Sequence, residues 1–140
     1  MRTTSIILAV LFLGAAALAY AEKTPEHPID KAEEACIDKD GSTAGMTDCA
    51  EKAYVSWDRE LNRNYNALSK KLSPRDREVL KAAQKKWLEY RDQEFKLIDT
   101  IYSQLQGTMY IPLRVEERIA IVKQRALKLG NHLELLRGDR

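Results

Sequence analysis

Residues 47–74, TDCAEKAYVSWDRELNRNYNALSKKLSP, carry one apolar stripe through about six turns of helix. Its members recur at steps of one, three and four residues: Ala50, Ala53, Tyr54, Trp57, Leu61, Tyr65, Leu68 and Leu72. This spacing predicts a long amphipathic α-helix. Thr47 or Asp48 is its expected N-cap, and Ser73-Pro74 ends it and starts the next helix.

Two further segments show the same spacing. A third helix is predicted from Pro74 to about Gln106 and a fourth over residues 115–136. The third stripe comprises Leu80, Ala83, Trp87, Tyr90, Glu94, Ile98, Ile101 and Leu105. The fourth comprises Val115, Ile119, Val122, Ala126, Leu129, Leu133 and Leu136. Gly107 ends the third helix, residues 108–112 turn the chain, and Gly130 interrupts the fourth.

A short helix over residues 30–38 is predicted before these three, with Asp30 and Glu33 as a D-x-x-E capping box. Residues 39–45 contain two glycines and are predicted as a loop. No stretch alternates with period two for long enough to indicate a strand. The predicted fold class is therefore all-α: an antiparallel bundle of three long helices plus a short N-terminal helix.

The first 21 residues have the pattern of a secretory signal. Arg2 precedes an apolar run over residues 6–13, and Ala19-Tyr20-Ala21 is an A-x-A cleavage site. The apolar run is shorter than the roughly 20 residues of a membrane span, although an uncleaved anchor is the alternative. We expect cleavage near Ala21, one domain over residues 22–140, and a periplasmic or secreted location.

The chain has two cysteines, Cys36 and Cys49. In an oxidising compartment such a pair usually forms a disulfide, and two free thiols are the alternative. The bond would close a loop of roughly 14 residues, pin the short helix to the second one, and contribute about 3 kcal/mol. Neither His27 nor His132 stands at ligand spacing from the cysteines, so no metal site is expected.

Charge is distributed unevenly along the chain. Residues 22–51 hold nine acidic and three basic side chains, a net of −6, whereas residues 52–140 hold nineteen basic and twelve acidic ones, a net of +7. Such polarity either steers a charged partner or reflects solvated helix faces. The same two interpretations, with anionic lipid or polysaccharide as the partner, apply to Lys70, Lys71, Arg75, Arg77, Lys81, Lys85 and Lys86. Nucleic acid is not an expected partner of an exported protein.

The sequence does not carry the residues of a recognisable active site. It contains no G-x-S-x-G, no H-E-x-x-H and no glycine-rich phosphate loop. The adjacent pairs Glu33-Glu34 and Glu116-Glu117 do not converge on one reacting atom, because neighbours on a helix point apart. We expect neither catalysis nor a cofactor.

Several motifs follow one another in a distinctive order. Met46 stands just before Cys49, and then come Asp58-x-x-Leu61-Asn62-x-x-Tyr65, Leu80-x-x-x-Gln84-x-x-Trp87-x-x-Tyr90-Arg91-Asp92 and Gln124-Arg125-x-x-x-Leu129. This set, spread over most of residues 36–133, resembles the N-terminal domain of the LprI-like lysozyme-inhibitor family. The resemblance implies a secreted helical protein whose partner is a lysozyme-type enzyme. Relatives carry two further cysteines, where this chain has Phe95 and approximately Glu117, so the link between the third and fourth helices is expected to lack a disulfide.

The motif residues have a structural and a functional interpretation. Trp57, Trp87 and Tyr90 are expected in the core, with a ligand platform as the alternative. Arg91 and Asp92 are expected to point apart, with Arg91 buried and fixing the helix register; a partner-facing role is the alternative. Cross-links between helices are expected from Asn62, Gln84 and Arg125.

Two functions remain at this point. The resemblance implies an inhibitor of peptidoglycan-cleaving enzymes, and the candidate docking residues on a basic lysozyme are Asp38, Asp40 and Asp48, on or beside the disulfide-closed loop. The alternative is a non-inhibitory interaction protein of the cell envelope, such as an adaptor, a stress factor or an immunity-type partner of an exported toxin.

Overall fold

Four α-helices make up residues 26–138, the part of the chain that this computed structural model describes. They are α1 (Pro28–Ile37), α2 (Thr43–Lys71), α3 (Pro74–Tyr102) and α4 (Tyr110–Gly138). No residue of this range lies in a strand. The predicted all-α class, with three long helices and a short one before them, is confirmed.

The predicted secretory signal, residues 1–21, lies outside the described residues. Within residues 26–138, no helix combines the length and the apolar character that crossing a membrane requires.

α2 begins one turn earlier than the sequence predicted. The Ser42 hydroxyl accepts a hydrogen bond from the Gly45 N–H at 3.0 Å, so Ser42 is the N-cap instead of Thr47 or Asp48. Gly45 was assigned to the loop, but it is buried in the first turn of α2. A Cβ at this position would lie 2.6 Å from the Asp40 Oδ2, so the close approach of loop and helix requires glycine.

The sequence predicted the N-cap of α3 correctly but not the N-cap of α1. His27 caps α1 through its Nδ1, which accepts from the Ile29 N–H at 3.2 Å, and the predicted Asp30–Glu33 capping box is wrong. Ser73 caps α3 as predicted, with Pro74 at the first helical position.

The connection between α3 and α4 is placed differently from the prediction. α3 ends at Tyr102, before Gln106, and α4 starts at Tyr110, so that Pro112 lies within its first turn. Proline is compatible with this position because the first N–H groups of a helix have no intrahelical acceptor.

The core lies between α2 and α4, which pack along each other's length. Its buried members are Ala50, Ala53, Trp57, Leu61 and Leu68 from α2, Ile119, Val122, Ala126 and Leu129 from α4, and Leu80 from α3. The first turn of α2 lies beside Ile111, and Asn64, two-thirds along α2, reaches Ala126, so the two helices run parallel. The stripes predicted for the second and fourth helices are thus the packed faces, except for Leu136, which is exposed.

Gly130 does not break α4, and its position has a packing reason. The buried Asn64 amide donates from Nδ2 to the Ala126 carbonyl at 3.1 Å and to Glu60 Oε1 at 3.1 Å. A Cβ on Gly130 would lie 3.1 Å from this Nδ2. Glycine therefore lets the α2 amide approach the α4 backbone.

α3 runs antiparallel to α4 and is the least buried long helix. Gln84 bonds to Arg125 and Asp99 pairs with Arg118, so positions that advance along α3 retreat along α4. Only Leu80 and Ile98 of α3 are buried. The predicted single stripe of α3 is wrong in part: Ala83, Tyr90, Ile101 and Leu105 are exposed. Spacing of three and four residues is satisfied by two adjacent faces of the helix, and only one faces α4.

Candidate interaction surface

A disulfide joins Cys36 at the end of α1 to Cys49 in the second turn of α2, as predicted. The two Cα atoms lie 5.7 Å apart, and Cys49 is buried. The bond holds α1 against α2 and closes the loop between them. Asp40 folds back over Gly45 within this loop, and its Oδ1 accepts from the Ser42 N–H at 3.0 Å. Hydrogen bonding by the Ser42 side chain, and then by its N–H, lowers the pKa of the Asp40 carboxyl, so it remains ionised at neutral pH.

The three aspartates proposed for docking lie on or beside this closed loop, and all are exposed. Asp38 follows α1 as its C-cap, Asp40 lies in the loop, and Asp48 lies on α2 with an ion pair to Lys52. Among the ion pairs of residues 26–138, none involves Asp38 or Asp40. Glu51, one turn after Asp48, is a further exposed carboxylate that the sequence analysis did not select.

Exposed apolar side chains lie at the same end of the bundle. They come from the α3–α4 connection and the first turn of α4: Leu105, Met109, Ile111 and Leu113, each 42–59% exposed. Gly107, at φ 114°, supplies the turn that carries them around the end of the bundle. A shallow hollow of about 500 Å³ lies where Ile111 of this strip meets the first turns of α2, and Thr47, Asp48 and Glu51 also line it.

We call residues 38–51 and 103–113 together the acidic end. It contains four carboxylates, one lysine and the apolar strip. The sequence analysis selected three of the four carboxylates but missed Glu51 and the strip. The strip was missed because the spacing of the third and fourth helices does not show which loop their connection lies beside. The run Met109-Tyr110-Ile111-Pro112-Leu113 was the available signal.

The Trp87 motif lies between α3 and α4, where arginines stack on aromatic rings. Trp87 is half-buried, with the guanidinium carbons of Arg91 and Arg125 at 5.6 and 5.9 Å from its ring centre. Arg125 Nε donates to Gln84 Oε1 at 3.0 Å, which confirms the predicted cross-link by these two residues. Leu129 is buried and Gln124 is exposed.

Three predictions about motif residues are wrong. Tyr90 is 51% exposed and does not belong to the core. Arg91, expected to point away from Asp92, donates to Asp92 Oδ1 from Nε at 3.0 Å and from Nη2 at 2.7 Å, because its long side chain curls back along the helix surface. Among residues 26–138, it forms no hydrogen bond or ion pair with another helix.

The polar cross-link in α2 also involves a different residue from the one predicted. Asn62 is exposed and donates to Asp58 of its own helix, at 2.8 Å to the carbonyl and 3.0 Å to Oδ2. The link to α4 comes from Asn64 instead. Leu61 is buried and Tyr65 half-buried, so these two motif positions belong to the packed face.

A cluster of charged groups joins α1 to α4. Lys123 pairs with Asp30 at 2.7 Å, and its Nζ lies 5.3 Å from the centre of the Trp57 ring. Glu33 lies beside them, and burial, followed by a hydrogen bond to Glu116, raises its pKa from 4.5 to about 8. Two carboxyl groups can share a hydrogen bond only if one keeps its proton. The sequence analysis rejected Glu33 and Glu116 as functional because it compared only neighbours in the chain.

None of these clusters has the composition of a metal site. Within residues 26–138, no three His, Cys, Asp or Glu side chains are placed to hold a metal ion.

Comparison with known proteins identifies the family. The model of the family described as "Lysozyme inhibitor LprI" matches residues 36–129. The chain belongs to the LprI family. The match begins at the first cysteine of the disulfide and ends at the buried Leu129, so it confirms the resemblance seen in the ordered motifs.

One solved structure resembles the chain over most of the chain's length. It is an uncharacterised protein from Burkholderia thailandensis, with a TM-score of 0.74 and 30% sequence identity. The similarity covers 81% of this chain but 57% of the Burkholderia chain. No curated protein matches the chain significantly.

Proposed function

We propose that this LprI-family protein inhibits a lysozyme-type, peptidoglycan-cleaving enzyme by docking its acidic end on the enzyme. The observation that carries the proposal is the hollow in which Asp48 and Glu51 lie beside Thr108 and Ile111. The disulfide-closed loop with the exposed Asp38 and Asp40 leads directly into the same end of α2, in a chain whose family is described as an inhibitor of lysozyme. C-type lysozymes are basic proteins, so a carboxylate-rich surface complements them.

The charge of the acidic end provides attraction, and its apolar strip provides buried area. Attraction between complementary surfaces raises the association rate and orients the partners. Apolar side chains such as Met109 and Ile111 form the kind of contact that excludes water at the centre of an interface. Both elements are needed, because exposed charge pairs alone contribute at most about 1 kcal/mol each.

The closed loop lowers the entropic cost of docking. Cys36–Cys49 ties both ends of the loop, and Asp40 is further held by the Ser42 N–H and by its contact with Gly45. A loop that is ordered before binding loses less conformational freedom than a free one. One of its carboxylates is thereby presented rigidly to a substrate cleft, where it acts as a blocking group.

The site of action in this proposal is the periplasm or the exterior of the cell. Export through the N-terminal signal, with cleavage near Ala21, gives the protein access to peptidoglycan-cleaving enzymes, and the disulfide suits an oxidising compartment. In this proposal the protein acts by binding, without catalysis of its own.

The test is an inhibition assay on a suspension of bacterial cell walls. The purified oxidised protein is expected to slow lysis by at least one c-type lysozyme at micromolar concentration. A variant with Asp38→Lys, Asp40→Asn and Asp48→Lys is expected to lose at least about tenfold in inhibitory potency, equivalent to about 1.4 kcal/mol. Asn at position 40 keeps an acceptor for the Ser42 N–H, so the loop geometry is preserved.

The matched control is Glu78→Lys, which changes an exposed carboxylate in the first turns of α3, at the opposite end of the bundle. It is expected to inhibit like the unchanged protein. Absence of inhibition against several lysozyme types would contradict the function, whereas full inhibition by the triple variant would contradict only the docking surface. Met109→Asp separates the apolar contribution, and we expect it to weaken inhibition as well.

A further inference from the structure

α3 presents a second apolar stripe that faces solvent. Its members are Val79, Ala83, Tyr90, Leu97 and Ile101, all exposed, with Val79 at 67% and Leu97 at 52%. At about 100° per residue, these five positions fall within an arc of about 40° on the helix surface. The stripe extends about 33 Å, from the second turn of α3 to its end.

This outer stripe is distinct from the face that packs on the bundle. The inward positions, roughly 100° away around the helix, are Leu80, Gln84, Trp87, Arg91, Phe95, Ile98 and Tyr102, and each of them is buried or half-buried. The outer stripe therefore has no partner within residues 26–138.

The outer stripe is self-complementary about its centre. Two charged residues flank it on opposite sides, Lys86 and Glu94, and they stand four positions before and four positions after Tyr90. If a second α3 is laid antiparallel with Tyr90 facing Tyr90, Lys86 faces Glu94 of the other copy, and Glu94 faces its Lys86. In the same register Ala83 meets Leu97, and Val79 meets Ile101. Every position thus meets a chemically suitable one in a two-fold arrangement.

We propose that two copies of this chain associate through an antiparallel α3–α3 contact centred on Tyr90, with two reciprocal Lys86–Glu94 ion pairs. A partner of other chemistry has no reason to match this spacing, whereas a second copy matches it at both ends. The two Tyr90 rings meet at the two-fold axis, where offset aromatic packing is favourable.

Competing contacts within one copy are weak. Lys86 Nζ pairs with Glu89 at 2.8 Å, but the two side chains are 79% and 51% exposed. Such a solvated pair contributes little, so Lys86 can exchange Glu89 for the partner copy's Glu94. The antiparallel arrangement also leaves the acidic ends at opposite ends of the dimer.

The contact is small, so the dimer is expected to be weak. One helix pair touching over about 33 Å lies at the low end of interface sizes, below the roughly 800 Å² per partner of a standard interface. We expect a dissociation constant in the micromolar range. Sedimentation equilibrium of the oxidised protein at about 1–200 µM should show a shift from one to two chain masses across that range.

Two charge reversals provide the decisive test. Lys86→Glu makes both ion pairs repulsive in a homodimer, and so does Glu94→Lys; each is expected to weaken dimerisation by about thirtyfold. An equimolar mixture of the two variants is expected to recover the dimer, because in the heterodimer both Glu–Lys contacts are attractive again. The double variant Lys86→Glu/Glu94→Lys should also dimerise like the unchanged protein.

The matched control is Lys81→Glu. Like Lys86→Glu it reverses an exposed lysine of α3 that stands three residues from a glutamate, but it lies off the stripe. It should leave the dimer unchanged, and circular dichroism should show the same helix content in all variants. A monomer at all concentrations overturns the proposal, and so does a dimer that the charge reversals do not affect or one that mixing does not restore.

Discussion

Raising the pH from 4.5 to 8 is expected to weaken the fold through one carboxyl group, that of Glu33. Burial in the α1–α4 cluster is the main reason that its pKa rises to about 8, and a hydrogen bond and repulsion from Glu116 and repulsion from Asp30 add to it. Lys123 opposes the rise. The Oε1 atom of Glu33 is buried and accepts no hydrogen bond from residues 26–138, as expected for a carboxyl group that keeps its proton.

The sign and size of the effect follow from proton linkage. An unfolded chain releases the Glu33 proton near pH 4.5, whereas the folded protein keeps it up to about pH 8. The contribution of Glu33 to the free energy of unfolding is therefore largest below pH 4.5, decreases between pH 4.5 and 8, and does not change above pH 8. The difference between the two pKa values corresponds to about 5 kcal/mol for a group shielded from water. Because Glu33 is only partly buried, solvent screening reduces the expected loss to about 2 kcal/mol.

Glu33→Gln isolates this contribution. Glutamine has nearly the same shape, cannot ionise, and its NH₂ group donates to Glu116 in place of the carboxyl proton. Urea unfolding, followed by circular dichroism at several pH values, should give equal stabilities for the two proteins at pH 4.5 and an advantage of about 2 kcal/mol for the variant at pH 8.5. Glu34→Gln, at the exposed neighbouring position, serves as the control and should show no such trend.

Other groups near α1 can contribute to the pH dependence of both proteins, so the informative quantity is the difference between them. If the Glu33→Gln variant shows no advantage at pH 8.5, or the same advantage at both pH values, Glu33 is ionised in the folded protein and the reasoning fails.

Two further predictions concern the disulfide and the Asn64–Gly130 contact. Replacing both Cys36 and Cys49 by Ala should lower the free energy of unfolding by about 3 kcal/mol, the chain-entropy value for a loop of roughly 14 residues, and a loss below about 1 kcal/mol in urea titrations would show that the unfolded chain is not constrained in this way. Gly130→Ala should destabilise the protein by about 1 kcal/mol, because the new Cβ meets an Asn64 amide held by two hydrogen bonds. In an Asn64→Ala background the same substitution should instead stabilise by up to about 1 kcal/mol, through helix propensity alone, and a double-mutant cycle with no change of sign would refute the contact.

The packed faces of α2 and α4 could be read from the sequence, and the helix ends could not. The stripe from Ala50 to Leu72 is the buried face of α2, because periodicity fixes which side of a helix is apolar. The start of α2 was missed because Gly45 looks like a loop residue in isolation. Only the folded loop shows that Asp40 occupies the space of its missing side chain.

Contacts between helices could not be predicted from the sequence, for a related reason. Spacing gives the direction of a side chain around its own helix, but not the neighbour it meets. Asn62 and Asn64 both looked like polar residues beside a packed face, and only Asn64 points at α4. Likewise, the placement of Asp38, Asp40 and Asp48 on or beside the disulfide-closed loop could be predicted from the sequence. The apolar strip depends instead on how the α3–α4 connection folds against the start of α2.

α3 has few buried side chains, and its outer stripe faces solvent. Where family relatives are expected to have a second cysteine pair, this chain joins α3 to α4 by noncovalent contacts. Arg118 pairs with Asp99 and stacks 5.2 Å from the Phe95 ring centre, and Tyr102 donates to Glu117 at 2.8 Å. Contacts of this kind contribute about 0.5–1 kcal/mol each at exposed sites, less than a disulfide.

With only Leu80 and Ile98 buried, α3 is therefore the long helix with the fewest buried side chains to hold it on the bundle. A second copy of α3 packed on the outer stripe would stabilise the helix from its other side, and dimerisation should then reduce hydrogen exchange first in the amides of α3. If dimerisation protected all four helices equally, α3 would already be held as firmly as the α2–α4 core. That result would contradict the weak attachment of α3 without contradicting the dimer.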